Sequence, residues 1–435
     1  MDNNSFFVTT PIYYVNDVPH IGHAYTSIAC DVLARFNRLN NKNTIFLTGT
    51  DEHGLKMEQA AKKKNMDTKK FVDEMSLNFK KLTKILNLTN DFFIRTTDEF
   101  HKKASQHIWN ILEKNDQIYL DKYKGWYSIN DEAYFNDNEI STDKKNKKKV
   151  APSGHEVKWV EEESYFFKLS KWQGKLLDYY QKNPDFIAPE SRKNEVISFV
   201  KNGLKDLSIS RTTFSWGIQV PNNAKHIMYV WLDALINYLS AIGYPDKKYK
   251  KFWPANVHII GKDIIRFHAV YWPAFLLAAD IEPPKRIFAH GWWTNEGKKI
   301  SKSLGNVIDP NEIIKAYGID TLRFFLLREV PFGNDGDFSK KSLQRRMNND
   351  LANDLGNLVQ RVLTIINKNL DGKLSKIKQI KENDKKIYAY PEELLKNIEK
   401  NYEKQEFHKV IENIWKLISR ANKYVDESAP WQLIK

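Results

Sequence analysis

Apolar residues recur along the chain in two rhythms, and their alternation predicts strands feeding helices. Phe6-Phe7-Val8 is a short apolar run of strand character, and residues 11–19 read as loop. From His23 onward Ile28, Val32, Phe36 and Leu39 fall at helical spacing, one face of a helix. Thr44-Ile45-Phe46-Leu47 predicts the next strand, ending at Gly49, and helical patterns follow over 68–86 and 97–114. Strands alternating with helices imply a parallel sheet with helices on its faces, an α/β architecture.

Between about 116 and 225 the rhythm breaks. This stretch is rich in Tyr, Trp, Asn, Asp and Lys and reads as an inserted module of short strands, with a Lys-rich run over 143–149 as a solvated loop. The α/β rhythm resumes with strands at Met228-Tyr229-Val230 and Val257-His258-Ile259-Ile260 and helices over 233–241 and 263–278. Asp309 and Pro310 mark a helix start and Gly318 its stop. From Ser339 the pattern becomes helical throughout: Leu343, Met347, Leu351, Leu355, Leu358, Val362 and Ile365 share a face. A polar linker over 369–390 separates them from a second amphipathic helix marked by Phe407, Ile411, Ile414, Leu417, Ala421 and Val425. Four segments result: 1–115 and 226–338 as two halves of one α/β domain, 116–225 as the insertion, and 339–435 as a helical domain.

Composition narrows the partners. The 435 residues carry 68 Lys+Arg against 54 Asp+Glu, a formal charge of +14, which favours a polyanion such as nucleic acid as much as a solvated basic surface. The single cysteine, Cys30, excludes an internal disulfide and any multi-cysteine metal site. No apolar run is long enough to span a membrane and the N-terminus lacks a secretory pattern, so a cytoplasmic protein is expected.

Two short motifs carry candidate chemistry. His20-Ile21-Gly22-His23 lies where a loop enters a helix, and a helix start offers N–H groups and partial positive charge to phosphate. Gly22 lets a nucleotide approach the backbone, and both histidines can donate to phosphate oxygens. Far downstream, Lys299-Ile300-Ser301-Lys302-Ser303 forms a cationic loop between Gly297 and Gly305, suited to closing on a triphosphate and holding departing pyrophosphate. Taken singly, the first is a pair of ordinary histidines and the second a Lys-rich turn. Together, one in each half of an interrupted α/β domain, they resemble the paired signatures of class I aminoacyl-tRNA synthetases. That resemblance implies a Rossmann-type catalytic domain split by a connective module, with ATP as a substrate.

The surroundings are similar to the methionyl-tRNA synthetase family. Thr9-Thr10-Pro11-Ile12-Tyr13-Tyr14-Val15-Asn16 resembles its opening, and Thr48-Gly49-Thr50-Asp51-Glu52-His53-Gly54 its next strand end. Val230-Trp231-Leu232-Asp233-Ala234, the block from Gly261-Lys262-Asp263 to His268, and His290-Gly291-Trp292-Trp293-Thr294 match further blocks. The resemblance implies a methionine pocket of Ile12, Tyr14, Trp231, Ala234, Leu235, Tyr238, Ile264, Phe267 and His268. Soft aromatic walls suit a thioether, and the Ile12 N–H and Tyr238 hydroxyl are in question as weak donors to its sulfur. Asp51 would pair with the substrate ammonium. His20, Gly22, His23, Gly261, Asp263, Lys299, Ser301 and Lys302 would hold ATP, which Mg²⁺ would accompany. His20, His23, Lys299 and Lys302 would carry the catalysis, which needs alignment and charge stabilisation but no general base.

In the helical segment the resemblance makes Asn357, Arg361 and Trp431 readers of the tRNA anticodon; base edges and a stacking surface suit these side chains. The chain departs from the family where many members bind zinc. Tyr127-Ser128-Ile129-Asn130-Asp131 and Ala151-Pro152-Ser153-Gly154-His155 contain no cysteine, so no structural zinc is expected. The chain also stops shortly after Trp431, where relatives add helices. Some apolar helix surface should therefore stand open. The C-terminal dimerisation domain of some relatives is absent too, so a monomer is expected. Three rivals leave more unexplained. Synthetases for valine, isoleucine or leucine carry a larger editing insertion, and the cysteine enzyme needs zinc ligands. Small nucleotidyltransferases lack the helical tail. A silent tRNA-binding relative has no need of both lysines and both histidines.

Overall fold

The computed structural model describes residues 4–16, 18–143, 147–300, 305–374, 376, 380 and 382–433. Backbone contacts divide the chain into two units, one of residues 1–19 and 26–289, the other of residues 20–25 and 290–435.

The first unit is built on a parallel sheet. Among the described residues its strands run in the order Ile187–Ala188, Ile287–His290, Val257–Gly261, Ser5–Thr9 and Asn43–Asp51, and the last also pairs with Tyr13–Tyr14 and Phe92–Arg95. The register places Val8 opposite Val257 and Phe46. Phe7, Val8, Phe46 and Leu47 are fully buried, as expected for strands covered on both faces. Carboxyl ends of neighbouring strands thus bring Thr9, Asp51 and Gly261 to one edge, where open α/β sheets bind ligands.

Several expected elements are displaced. The first helix, Ile21–Leu39, is buried more broadly than its spacing implies. Ala24, Tyr25, Ala29, Cys30, Leu33 and Ala34 are buried with Ile28, whereas Leu39 stands 80% exposed. Even Asp31 is buried, because its Oδ1 accepts from the Thr89 N–H and hydroxyl at 2.7 Å each. Val230, expected in a strand, opens the helix Val230–Leu235; the strand is Asn223–Met228. The single helix expected over 263–278 is a turn at Lys262–Ile264, a wide π turn at Phe267–Tyr271 and a helix Trp272–Ala278. π turns break the i to i+4 ladder and recur at functional sites.

The stretch 116–225 forms an antiparallel sheet from Leu207–Ser208, Lys158–Phe167, Ile118–Ser128 and Ala133–Phe135. It also contains the helices Gln173–Lys182 and Glu190–Lys201, which its polar composition concealed, and Ile187–Ala188 joins the main sheet.

In the second unit Trp293–Asn295 pairs with Lys298–Lys299 and Gly336–Phe338. Gly291 has no room for a side chain: a Cβ there would lie 2.1 Å from the Asn334 carbonyl oxygen. Tyr25 packs edge-on against His290, Trp293 and Phe332 with ring centroids 5.0, 5.5 and 5.0 Å away. Asp309 caps the helix Pro310–Tyr317 by accepting from the Asn311 N–H, and Gly318 at φ 83° ends it. The long helix from Lys340 to Asn369 has a π-helical middle at Met347–Gly356. The expected linker is partly helix, since Glu382–Glu403 begins inside it and continues through Pro391. Its pairing with Phe407–Ser428 outweighs the proline, and the Arg420 guanidinium lies 3.3 Å from the Tyr390 ring centroid. Leu355, Val359 and Leu363 are exposed along one side of the long helix.

Candidate active site

At the end of the strand Asn43–Asp51 the chain is locked by ionic hydrogen bonds. Glu52 is fully buried and accepts from Thr50 Oγ1 at 2.7 Å, Thr97 Oγ1 at 2.6 Å, and Arg95 Nε and Nη2 at 2.6 and 2.8 Å. Neighbouring Asp51 is treated very differently. It is 4% exposed, and its Oδ1 has no hydrogen-bond partner within the protein. Burial, reinforced by the charges of Asp233 and Glu132, pushes its carboxyl well above the usual range. A buried acceptor left open in this way is costly unless a ligand supplies the donor.

The methionine-pocket candidates form a cluster that reaches Asp51 through Tyr14. Tyr14 faces Asp51 in the strand register. Ile12, Tyr14, Trp231 and Ile264 pack against the cluster that contains Leu235 and Tyr238. Trp231 and Phe267 stack face to face, 3.7 Å between centroids and 5° between planes, and His268 meets Trp231 edge-on at 6.1 Å. Ala234, Leu235, Tyr238 and His268 are buried, whereas Ile12, Tyr14, Trp231, Ile264 and Phe267 keep partial exposure, as walls of an open pocket do. Tyr14 Oη and Trp231 Nε1 are also buried without a partner.

His268 Nδ1 lies 3.0 Å from the Ile264 carbonyl oxygen, so it carries the hydrogen. Nε2, 2.7 Å from Tyr238 Oη, then accepts the Tyr238 proton. The hydroxyl that was in question as a donor to the thioether is therefore already committed to His268. Burial lowers His268 from 6.5 to about 4. Below the ordinary imidazole range the unfolded chain takes up a proton that the folded chain refuses. The associated stability is complete above about 6.5 and is lost as the pH falls from about 6.5 to about 4, roughly 3 kcal/mol in all. Urea unfolding of wild type and His268→Gln across that window should give curves that converge as pH falls; a constant difference would refute the assignment.

The second unit holds the histidine pair. The helix starts at Ile21, yet its first amides are already used: Ile21 N–H donates to Ile308 O at 3.1 Å, Gly22 N–H to His20 Nδ1 at 3.1 Å, and His23 N–H to His20 O at 3.0 Å. The expectation that free helix-end N–H groups face a phosphate is thereby corrected. His20 N–H donates to His23 Nδ1 at 3.0 Å, so both Nδ1 atoms accept and each neutral ring carries its hydrogen on Nε2. Burial, with His20 beside it, pushes His23 well below the ordinary imidazole range and keeps it neutral. Gly22 is needed for this fold-back, since a Cβ there would lie 2.9 Å from His20 Cε1. Lys299 ends the strand Lys298–Lys299, opposite Thr294; Ser301 and Lys302 lie outside the described residues.

The model of the family described as "tRNA synthetases class I (M)" matches residues 6–363. The methionine--tRNA ligase of Rickettsia bellii (strain RML369-C) is 56% identical over 440 residues, which cover 100% of this chain and 85% of that protein. That of Bacillus subtilis (strain 168) is 49% identical, over 100% of this chain and 67% of that one. The chain belongs to the class I methionyl-tRNA synthetases. The solved Mycobacterium tuberculosis methionyl-tRNA synthetase in complex with methionyl-adenylate superposes with a TM-score of 0.97 at 49% identity, covering 99% of this chain and 85% of that one.

In this methionyl-tRNA synthetase the cysteine-free stretches 127–131 and 151–155 meet at Asp131. Asp131 Oδ2 accepts from Ser128 Oγ and Ser153 Oγ at 2.7 Å each, and Asp131 Oδ1 lies 2.6 Å from His155 Nδ1. A carboxylate thus ties the two loops together. Gly261 ends a central strand of the sheet, with Asp263 exposed in the turn after it. Of the anticodon candidates, Asn357 is exposed at the start of the helix Asn357–Asn369 and Trp431 is 46% exposed. Arg361 is engaged by Asp426 at 2.9 Å. That pair is partly exposed, so breaking it for RNA costs at most about 1 kcal/mol.

Sequence reasoning missed a buried polar chain through His53, Asp233 and His101. His53 and Asp233 lay inside matched motifs without a role, and nothing in the sequence marked His101. The buried Arg211, paired with Glu162 and stacked 4.1 Å over Tyr127, was missed too.

Proposed function

We propose that Asp51 receives the ammonium group of methionine in the two-step reaction of this family, which the chain carries out. Methionine and ATP give methionyl-adenylate and pyrophosphate, and the methionyl group then passes to the 3′-terminal adenosine of tRNA(Met). The observation that carries the assignment is the unpartnered, buried Asp51 Oδ1, on the strand end opposite Tyr14 and under the charge of Asp233 on the helix that bears Trp231. An ammonium supplies the missing donor and the opposite charge. Ile12, Tyr14, Ala234, Leu235, Tyr238, Ile264 and His268 complete the pocket, its aromatic and aliphatic walls accepting the thioether.

The substrate carboxylate is already ionised and attacks the α-phosphorus directly. Catalysis then consists of alignment and charge stabilisation at the phosphates. The Nε2–H groups of His20 and His23 are the neutral donors for that task, beside Gly22. Lys299 and Lys302, with Ser301, oppose the charge that builds on pyrophosphate. Asp263 accepts from the ribose and Gly261 allows close approach. Mg²⁺ arrives as the ATP complex. Segments 1–115 and 226–338 form the catalytic domain, 116–225 the module on the acceptor-stem side, and 339–435 the anticodon-binding domain with Asn357, Arg361 and Trp431. The enzyme works as a cytoplasmic monomer.

Exchange of labelled pyrophosphate into ATP, assayed with each of the twenty amino acids, tests this reading. Methionine alone should support exchange. Exchange with another amino acid would overturn the pocket assignment, and none from folded protein would overturn the catalytic one.

A further inference from the structure

A buried polar chain lies behind the methionine pocket and has no part in the reading above. Asp233 sits on the helix Val230–Leu235, which also carries Trp231, Ala234 and Leu235. Its side chain is 1% exposed. Oδ2 lies 2.7 Å from His53 Nδ1 and Oδ1 lies 2.7 Å from His101 Nε2. A carboxylate only accepts, so both facing nitrogens carry hydrogens and both tautomers are set. His53 follows the strand end that bears Asp51, and His101 belongs to the helix Glu99–Lys114. One carboxylate therefore ties three elements together.

The far side of His101 is satisfied as well. Its Nδ1 lies 2.8 Å from Ser240 Oγ, which is also 3.3 Å from the Asn237 carbonyl oxygen. Ser240 has one proton to give. A neutral His101 accepts it at Nδ1; a cationic His101 donates to Ser240, which then donates to Asn237. Neither state leaves a buried donor without an acceptor. Such an arrangement is poorly explained by stability alone, because a buried ionic group is often no more stabilising than an apolar one of the same size. It is better explained by what it holds. Opposing partners on both oxygens leave Asp233 little freedom to turn. They outweigh burial, which would push its carboxyl up, and hold it at about 2. The resulting fixed negative charge acts on Asp51.

We propose that His53 and His101 are positioning residues for methionine: by gripping Asp233 from two sides they set the helix bearing Trp231 against the strand end bearing Asp51. The proposal rests on the assignment of Asp51 and Trp231 to the substrate.

The test compares His53→Phe and His101→Phe, which remove the donors, with His53→Asn and His101→Gln, which place an amide N–H at the Nδ1 and Nε2 positions. Pyrophosphate exchange by the full chain gives separate KM values for methionine and ATP. The Phe variants should raise the methionine KM about tenfold or more and leave that for ATP within about twofold, and the amide variants should recover most of the loss. Folded Phe variants with normal methionine KM, equal losses for both substrates, or amide variants as impaired as Phe variants would each overturn it. Should the Phe variants fail to fold, Ser240→Ala decides: it should raise the methionine KM a few-fold, and an unchanged value overturns the proposal. Asp51→Asn is run alongside. If it leaves the methionine KM unchanged, the pocket assignment fails and this inference with it; if it raises that KM while the histidine variants do not, this inference alone fails.

Discussion

Asp51→Asn will raise the KM for methionine by about 100-fold or more while leaving the KM for ATP nearly unchanged. The size follows from the environment. Asp51 is almost fully buried and one of its oxygens has no partner within the protein, so under the proposed assignment the substrate ammonium supplies the missing donor. Asparagine keeps the shape, loses the charge and can present an N–H to a cation. Removing one partner of a buried charge pair typically costs about 3–5 kcal/mol. A second signature accompanies the first. In the empty pocket, burial and the charges of Asp233 and Glu132 favour the protonated form of Asp51. Under the proposed assignment methionine binds the ionised form. The wild-type KM for methionine should therefore rise as the pH falls through the free-enzyme pKa, because binding must displace the proton. The Asn variant has no such proton and its KM should be flat over that range. A folded Asn variant with a normal methionine KM, or a variant as pH-sensitive as wild type, would remove Asp51 from the ammonium site.

Lys302→Ala will lose about 100- to 1,000-fold in the rate of methionyl-adenylate formation, with little change in methionine affinity. The activation step transfers no proton to a general base, so its barrier is governed by charge at the phosphates. A lysine that opposes the charge on departing pyrophosphate, as proposed for Lys302, would act mainly in the transition state, so its loss would lower the rate rather than binding. None of the methionine-pocket residues belongs to the segment that carries Lys302, which follows the strand Lys298–Lys299 and the Gly297 turn at φ 75°. Single-turnover adenylate formation, with methionine affinity measured by calorimetry, separates the two effects. Near-normal turnover would sink the role.

Much of this molecule could be read before its structure. Short apolar runs at Phe6-Phe7-Val8 and Val257-His258-Ile259-Ile260 announced central strands, because a strand covered on both faces must be apolar throughout. Asp309, Pro310 and Gly318 marked a helix by local chemistry alone. The histidine motif and the Lys-Ser-Lys loop were legible as motifs, since their spacing along the chain is part of the signature. Other features failed for identifiable reasons. The helices Gln173–Lys182 and Glu190–Lys201 are amphipathic within a polar segment, so composition hid them. Polar composition argued for a linker over 369–390, yet Glu382–Glu403 begins inside it, pairs with Phe407–Ser428 and continues through Pro391 despite the local cost of a few kcal/mol.

The amino-acid sequence by itself determined the α/β class and the family, and it named the candidate residues for the reaction, because each depends on local periodicity or on short ordered motifs. Only the tertiary structure decided how those residues are used. It showed that the amides at the start of Ile21–Leu39 are consumed and that the imidazoles present Nε2–H. It showed that Tyr238 gives its proton to His268, that Asp51 is the acceptor left open, and that Asp233 is gripped by His53 and His101. The Ile21–Ile308, Tyr238–His268 and Asp233–histidine bonds depend on which donor meets which acceptor across a large separation in sequence. Such pairing is set by packing, where an unsatisfied group is costly, and no spacing along the chain encodes it.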